Sequence, residues 1–281
     1  MGLQHWHDLP VNLSDIAIVN TAHRRPHYLR ETLASWQAAR GIGDIRSFTL
    51  ALGDPGGDHF MSQLGVWDSF RKATGLGSRG RVKVDSAAAR ASRGMHRAIA
   101  EAADHVLADP AVEFLILGEE DLVVSSDALE YFTWARQEFA RDERVLAVCS
   151  HSPGGQGWDE RGAADDAGAD QESVRLLPYF QAWVWGTWRD RWEQVIRPRW
   201  DLECDSGGPT TSGWDWHIAT RIIPQGGYVC AVPDASRSQN IGRYGGWAAD
   251  PADFPNTQAA SFRPDRGQMA YRLEEAAEQA A

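Results

Sequence analysis

Cysteine is scarce in this sequence, lysine is nearly absent, and no apolar run is long enough to cross a bilayer. The three cysteines among 281 residues, Cys149, Cys204 and Cys230, form no Cys-x-x-Cys pair, which argues against a thiolate zinc site. Cys149 and Cys230 sit in apolar runs and read as small core residues, as expected of a reduced, cytoplasmic protein. Residues 1–15 lack a basic flank followed by an apolar run, so no signal peptide is expected, and no stretch approaches the length of a membrane span. Lys72 and Lys83 are the only lysines; the bias toward arginine, with abundant alanine and glycine, suggests a GC-rich bacterial genome. Positive charge is in deficit, with a formal net charge of -11. That balance disfavours nucleic acid and anionic membranes, and no basic stripe offsets it. A nucleoside diphosphate remains compatible, because a divalent cation bridges the two sets of negative charge.

Hydrophobic residues make up 43% of the chain, enough to core one large α/β domain or two small ones. Short apolar runs at 16–19, 48–52, 81–84, 114–117 and 145–149 read as buried strands. Between them lie segments with apolar residues at helical spacing. Leu29, Leu33 and Trp36 follow Pro26; Phe60, Leu64, Trp67 and Phe70 follow a Gly-Asp-Pro-Gly-Gly turn; Met95, Ile99, Ala102 and Val106 are spaced by four, three and four. A fourth helix, capped by Ser125 or Ser126, carries Leu129, Phe132 and Phe139. This alternation predicts a doubly wound, mostly parallel α/β sheet with helices on both faces, whose ligands bind at the carboxyl ends of the strands.

The second half reads differently. A Gly, Ala and Asp-rich loop over 152–173 precedes an aromatic strand at 179–185, helical runs at 188–196 and 214–223, and a strand at 228–232. The expected organisation is one composite domain. Residues 1–150 form the nucleotide-sugar half, 151–242 a smaller acceptor and catalytic-base half, and 243–281 a partly mobile tail ending in a helix near 269–280.

The sharpest chemical feature is Glu119-Glu120-Asp121, placed directly after an apolar strand. Three adjacent carboxylates repel one another, and a hard divalent ion such as Mn²⁺ or Mg²⁺ relieves that repulsion through oxygen ligands. Such an ion could bind a diphosphate and neutralise the charge that develops on a leaving group. Taken alone, the triplet is about as well explained as a solvated acidic turn capping the next helix.

The run from Phe114 to Phe132, an apolar strand, an acidic triplet ending in Asp, a Leu and a helix with an aromatic pair, resembles the metal-site segment of glycosyltransferase family 13, the N-acetylglucosaminyltransferase I type with a GT-A fold. Trp214-Asp215-Trp216, then a strand, then Pro233-Asp234-Ala235-Ser236-Arg237 resemble that family's Trp-Asp helix and Pro-Asp-x-Ser-Arg turn in the same order. The resemblance spans roughly residues 16–242. It implies that Asp121 is the metal ligand, that Glu119 and Glu120 lie near the donor sugar and ribose, and that Asp215 is the general base. It also implies that Asp54 meets a uracil base and that Arg24, Arg25 and Arg93 face the nucleotide. Without it, Asp215 reads as a first-turn helix residue favoured by the macrodipole, Asp54 as a turn residue, and the three arginines as solvated charges. The pattern departs from the family at Glu120, where Asp is usual, at Gln239-Asn240-Ile241, and at Gly94, where a His is common.

The implied activity is inverting, metal-dependent transfer of a sugar from a nucleotide diphosphate donor to an acceptor hydroxyl. UDP-N-acetylglucosamine is the first candidate donor, and Mn²⁺ or Mg²⁺ the cofactor. Thirteen tryptophans add a further signal. Trp185, Trp214 and Trp216 are candidate acceptor-side stacking residues, although spacing over 179–192 also suits a core, the better reading for at least half of the tryptophans there. Two rivals stand beside this reading: a metal-dependent nucleotidyltransferase or phosphohydrolase, and a non-catalytic, Trp-rich carbohydrate-binding protein.

Overall fold

The computed structural model describes residues 12–53, 57–84, 94–152, 169–200, 214–244, 254 and 258–274. In chain order the strands are β1 (Ile16–Ala22), β2 (Ser47–Leu52), β3 (Gly80–Val84), β4 (Phe114–Glu119), β5 (Leu122–Val124), β6 (Val145–Cys149), β7 (Ser173–Leu177), β8 (Trp185–Trp188), β9 (Val229–Pro233), β10 (Ser238–Asn240) and β11 (Arg272–Leu273). The helices are α1 (Pro26–Ala38), α2 (Phe60–Ala73), α3 (Gly94–Leu107), α4 (Ala128–Glu138), α5 (Arg189–Arg191), α6 (Trp214–His217) and α7 (Ile223–Gly226). A π turn, Trp192–Ile196, continues α5, and a second, Ile218–Ile222, joins α6 to α7.

β1 shows why the sheet forms. All seven of its residues are buried. Ile16 and Ile18 enter one core with Leu29, Leu33 and Trp36 of α1, while Ala17 and Val19 enter the other with Ile99, Ala102 and Val106 of α3. A strand covered on both faces has no solvent side to make polar, so it reads as a continuous apolar run. The first core also takes α2 and α4, and the second takes the helical runs after β8 and around Ile218.

The main sheet has nine strands in the order β11-β7-β9-β6-β8-β4-β1-β2-β3. β1, β2, β3 and β4 are mutually parallel; β8 runs antiparallel between β4 and β6, and β7 antiparallel to β9. The expected doubly wound, mostly parallel sheet is therefore the fold. Gly186 lets β8 fit, because a Cβ there would stand 2.5 Å from the Phe114 ring.

Four differences have physical causes. The aromatic strand begins at Trp185 rather than 179, because Val184 adopts φ 59 and breaks the extended run. The N-cap of α4 is Asp127, without a side-chain cap bond, and neither Ser125 nor Ser126. The Asp127 carboxylate is instead committed to Arg237 at 3.3 Å and to the Tyr271 hydroxyl at 2.8 Å, all three buried. Within the predicted final helix, Arg272–Leu273 is the parallel edge strand β11, held on β7 by backbone bonds and by Arg272 ion pairs to Asp170 and Glu172. Finally, residues 258–274 are anchored rather than loose: Ser261, Arg266 and Tyr271 are buried, and the Ser126 amide donates to the Pro264 carbonyl at 2.9 Å. Among the described residues no helix is long and apolar enough to cross a membrane.

Candidate active site

The parallel register of β1 with β4 sets Thr21 beside Glu119 at the carboxyl edge of the sheet. β4 ends at Glu119, and the chain then turns through Glu120 and Asp121 into β5. β5 pairs with β10 in a separate two-stranded ribbon that leaves the main sheet at this point. Backbone bonds pin the turn from both sides. The Thr32 hydroxyl of α1 donates to the Glu120 carbonyl at 2.7 Å, and the Ile241 amide donates to the Asp121 carbonyl at 2.8 Å. Glu120 and Asp121 are only 3% and 8% exposed. Glu120 and Asp121 are thus buried, with Glu119 half-buried beside them, and the solvated-turn alternative does not describe the triplet.

Arg25, the residue before α1, bridges the cluster: Nε lies 2.8 Å from Glu120 Oε1 and Nη1 lies 2.8 Å from Asp121 Oδ2. Burial works against its charge, but Glu120 and Asp121 outweigh that and hold the guanidinium above its ordinary value. One arginine does not neutralise the site. Burial first, then the charges of Asp121, Glu120 and Asp215, push Glu119 well above the usual carboxylate range. Burial and Asp121 likewise raise Glu120 to about 7, despite Arg25. These shifts mark a region short of positive charge, which is where a cation or a cation-bound ligand is favoured.

The charge of Asp215 acts on Glu119, which sets the α6 carboxylate within electrostatic reach of the triplet.

 Trp214 fixes the helix that carries it. Its indole stacks on Trp185 of β8 and on Trp200, with ring centroids 6.0 Å and 5.4 Å apart. Trp185 in turn pairs in register with Leu117 of β4, two residues before Glu119. One aromatic stack therefore ties the helix that carries Asp215 to the strand that ends in the acidic triplet.

This packing corrects two assignments. Trp185 is fully buried and Trp214 is 7% exposed, so both belong to the core and neither presents a face to an acceptor sugar. Trp216, at 48% exposed, is free to do so. Arg24 is exposed, and the arginine that reaches the carboxylates is its neighbour Arg25. Asp54 and Arg93 lie outside the described residues. In the Pro-Asp-x-Ser-Arg turn, Asp234 pairs with Arg175 at 2.7 Å and Arg237 with Asp127, so both charges are structural.

One residue at the site carried no sequence signal. Gly242 follows β10, and a Cβ there would overlap Asp121 Oδ2, so only glycine keeps that oxygen approachable. His151 is buried against Trp183, with ring centroids 4.5 Å apart, and burial pushes its pKa down to about 4. A groove of about 520 Å³ between α1 and α2 includes none of these residues.

Among the described residues, no group of three or more His, Cys, Asp or Glu side chains is arranged to hold a metal ion by itself. The donor set nonetheless suits a hard cation shared with a ligand. Such ions are commonly bound by one or two carboxylates, with phosphate oxygens and water completing the shell. Asp121 Oδ2, left open by Gly242, supplies one such carboxylate oxygen.

No protein-family model matches the chain, and no curated protein sequence matches it. Solved structures do. Residues 1–349 of TarS from S. aureus align with a TM-score of 0.52 at 12% identity, over 80% of this chain and 59% of that one. The same protein in complex with UDP gives 0.52 at 11% identity, with the same coverage. The mannosyltransferase PcManGT from Pyrobaculum calidifontis, in complex with GDP-Man and Mn²⁺, gives 0.50 at 14% identity, over 83% of this chain and 62% of that one. The chain spans about three fifths of the length of these structures. At this level of identity the likeness is one of fold: this chain has the mixed α/β architecture, a large and mostly parallel sheet flanked by helices, of structures that include a mannosyltransferase.

Proposed function

We propose that this protein is a metal-dependent, inverting glycosyltransferase of the GT-A type, acting on a nucleotide diphosphate sugar. The observation that carries the reading is the largely buried Glu119-Glu120-Asp121 turn at the carboxyl end of β4, with Asp215 close enough to raise the Glu119 pKa. UDP-N-acetylglucosamine is the first donor to test, on the resemblance to family 13. The nucleotide ligands of the two similar structures support the class of donor and leave UDP and GDP both to be tried.

In this mechanism Asp121 would hold Mn²⁺ or Mg²⁺ together with the donor diphosphate. When bound, the ion supplies positive charge to the leaving group. Asp215 accepts the proton of the acceptor hydroxyl as its oxygen bonds to the anomeric carbon. The bond from that carbon to the diphosphate oxygen breaks, and its electron pair leaves with the nucleoside diphosphate. A single displacement of this kind inverts the anomeric centre. Glu119, uncharged over a wider pH range than an ordinary glutamate, can donate a hydrogen bond to the transferred sugar.

The rivals are less well supported. The burial of Trp36, Trp67, Trp134, Trp185, Trp192 and Trp214 removes most of the surface that a Trp-rich carbohydrate-binding protein would need. A nucleotidyltransferase would release pyrophosphate, where a glycosyltransferase releases nucleoside diphosphate. The deciding experiment titrates UDP and GDP into the parent and Asp121→Ala with and without Mn²⁺. Metal-dependent binding that disappears in the variant is expected; binding indifferent to both metal and substitution would overturn the proposal.

A further inference from the structure

The chain turns sharply to deliver Arg25. β1 ends at Ala22, and Arg24 adopts φ 58, a left-handed conformation that a side chain with a Cβ rarely takes. The next residue, Arg25, precedes Pro26 at the start of α1, and its guanidinium reaches back over the sheet edge to the carboxylates. It lies 5.5 Å from the centroid of the Tyr28 ring, and the Tyr28 hydroxyl accepts a bond from the Tyr244 amide at 2.9 Å. A strained residue before Arg25 and an aromatic ring beside it hold one planar cation across two acids. The side chain is only 13% exposed.

The atom that Arg25 occupies matters most. Nη1 sits on Asp121 Oδ2, the same oxygen that Gly242 leaves approachable. A divalent ion bound to that oxygen would lie beside a positive charge. Guanidinium and metal ion therefore compete for one position. A diphosphate changes that competition, because its oxygens accept bonds from an arginine fork and also ligate a metal.

We infer that Arg25 is a built-in counter-cation that keeps the metal position at Asp121 closed until a nucleoside diphosphate arrives and draws the guanidinium onto its phosphates. This rests on the proposed function and adds an order to it: metal and donor enter together, and the free protein binds metal poorly. The arginine is a positioning residue for the cation and takes no part in bond making.

The test is calorimetric titration of MnCl₂ into the parent, Arg25→Gln and Arg25→Lys, each with and without saturating UDP or GDP. Near-ultraviolet circular dichroism checks the fold of each protein. The parent should bind Mn²⁺ at least about tenfold more tightly with nucleotide than without. Arg25→Gln should bind Mn²⁺ alone at least about tenfold more tightly than the parent and show little further gain from nucleotide. Lysine keeps the charge but lacks the fork that spans two carboxylates, so Arg25→Lys should show a smaller gain in the same direction and serves if the glutamine variant does not fold. Parent-like affinity for Mn²⁺ alone in the folded variants overturns the inference and leaves the proposed function standing. If the parent binds no Mn²⁺ with either nucleotide, the proposed function fails and takes this inference with it.

Discussion

The indole of Trp214 stacks on that of Trp185 with the ring planes 29° apart, and this contact couples α6 to β8 at the end where β8 meets β4. Asp215 owes its place beside the acidic triplet to that contact. Trp214→Ala should lower stability by about 3–5 kcal/mol, the usual cost of deleting a buried aromatic side chain. Trp214→Phe should cost less. Urea unfolding measures both. A loss below about 1 kcal/mol for the alanine variant would show that the stack does not anchor the helix.

Asp215→Asn should retain metal-dependent donor binding and lose transfer by about 10²–10⁴-fold, the typical contribution of a general base. Nucleotide titration and product assays separate the two effects. Transfer at the parent rate would remove Asp215 from the mechanism.

Gly242→Ala adds one methyl group that would overlap Asp121 Oδ2, with Asp121 Cγ at 2.9 Å and Asn240 Oδ1 at 3.1 Å, so the Asp121 side chain must turn. The backbone of Gly242 is not among those with positive φ, so the fold should tolerate alanine. Metal-dependent nucleotide affinity should fall by about tenfold, or about 1.4 kcal/mol, with a nearly unchanged melting temperature. Unaltered affinity would mean that this oxygen does not face the metal.

His151 gives a pH dependence with a definite sign. Burial holds its folded-state pKa at about 4, against an ordinary value of 6.5. Between those values the unfolded chain binds a proton that the folded chain refuses. The stability is therefore complete above about pH 6.5 and is lost as pH falls toward 4, by up to about 3 kcal/mol. Glu120, raised to about 7, acts in the opposite sense over much of the same range. The parent must therefore be compared with His151→Gln, whose stability should fall less steeply from pH 6.5 to 4. Parallel curves would show that the histidine titrates normally.

The buried strands were the most legible part of the sequence. β1, β2, β4, β6 and β9 are mostly apolar because nearly all of their residues are covered, whereas β3 alternates Arg81 and Lys83 with exposed Val82 and Val84 at the sheet edge. The strands that escaped notice are short or lie at an edge. β5 and β10 have three residues each and exist because they pair with one another across more than a hundred residues. β11 has two and depends on β7. The acidic triplet was legible because three carboxylates after an apolar strand are chemically conspicuous. Arg25 was harder to single out: its role depends on the turn at Arg24, and Arg24 has the same side chain. Tryptophan misled in a different way. Trp185, Trp214 and Trp216 are alike in sequence, and only tertiary packing decides which indole is covered.

The position of β8 has a consequence for dissecting this chain. A fragment ending near residue 150 would retain β4 and β6 but lose the strand hydrogen-bonded to both. Each would then expose a row of unsatisfied amides and carbonyls flanked by apolar side chains, a template for self-association. The residues after 150 thus supply the strand that joins β4 to β6, and neither part of the chain can be expected to survive alone in solution.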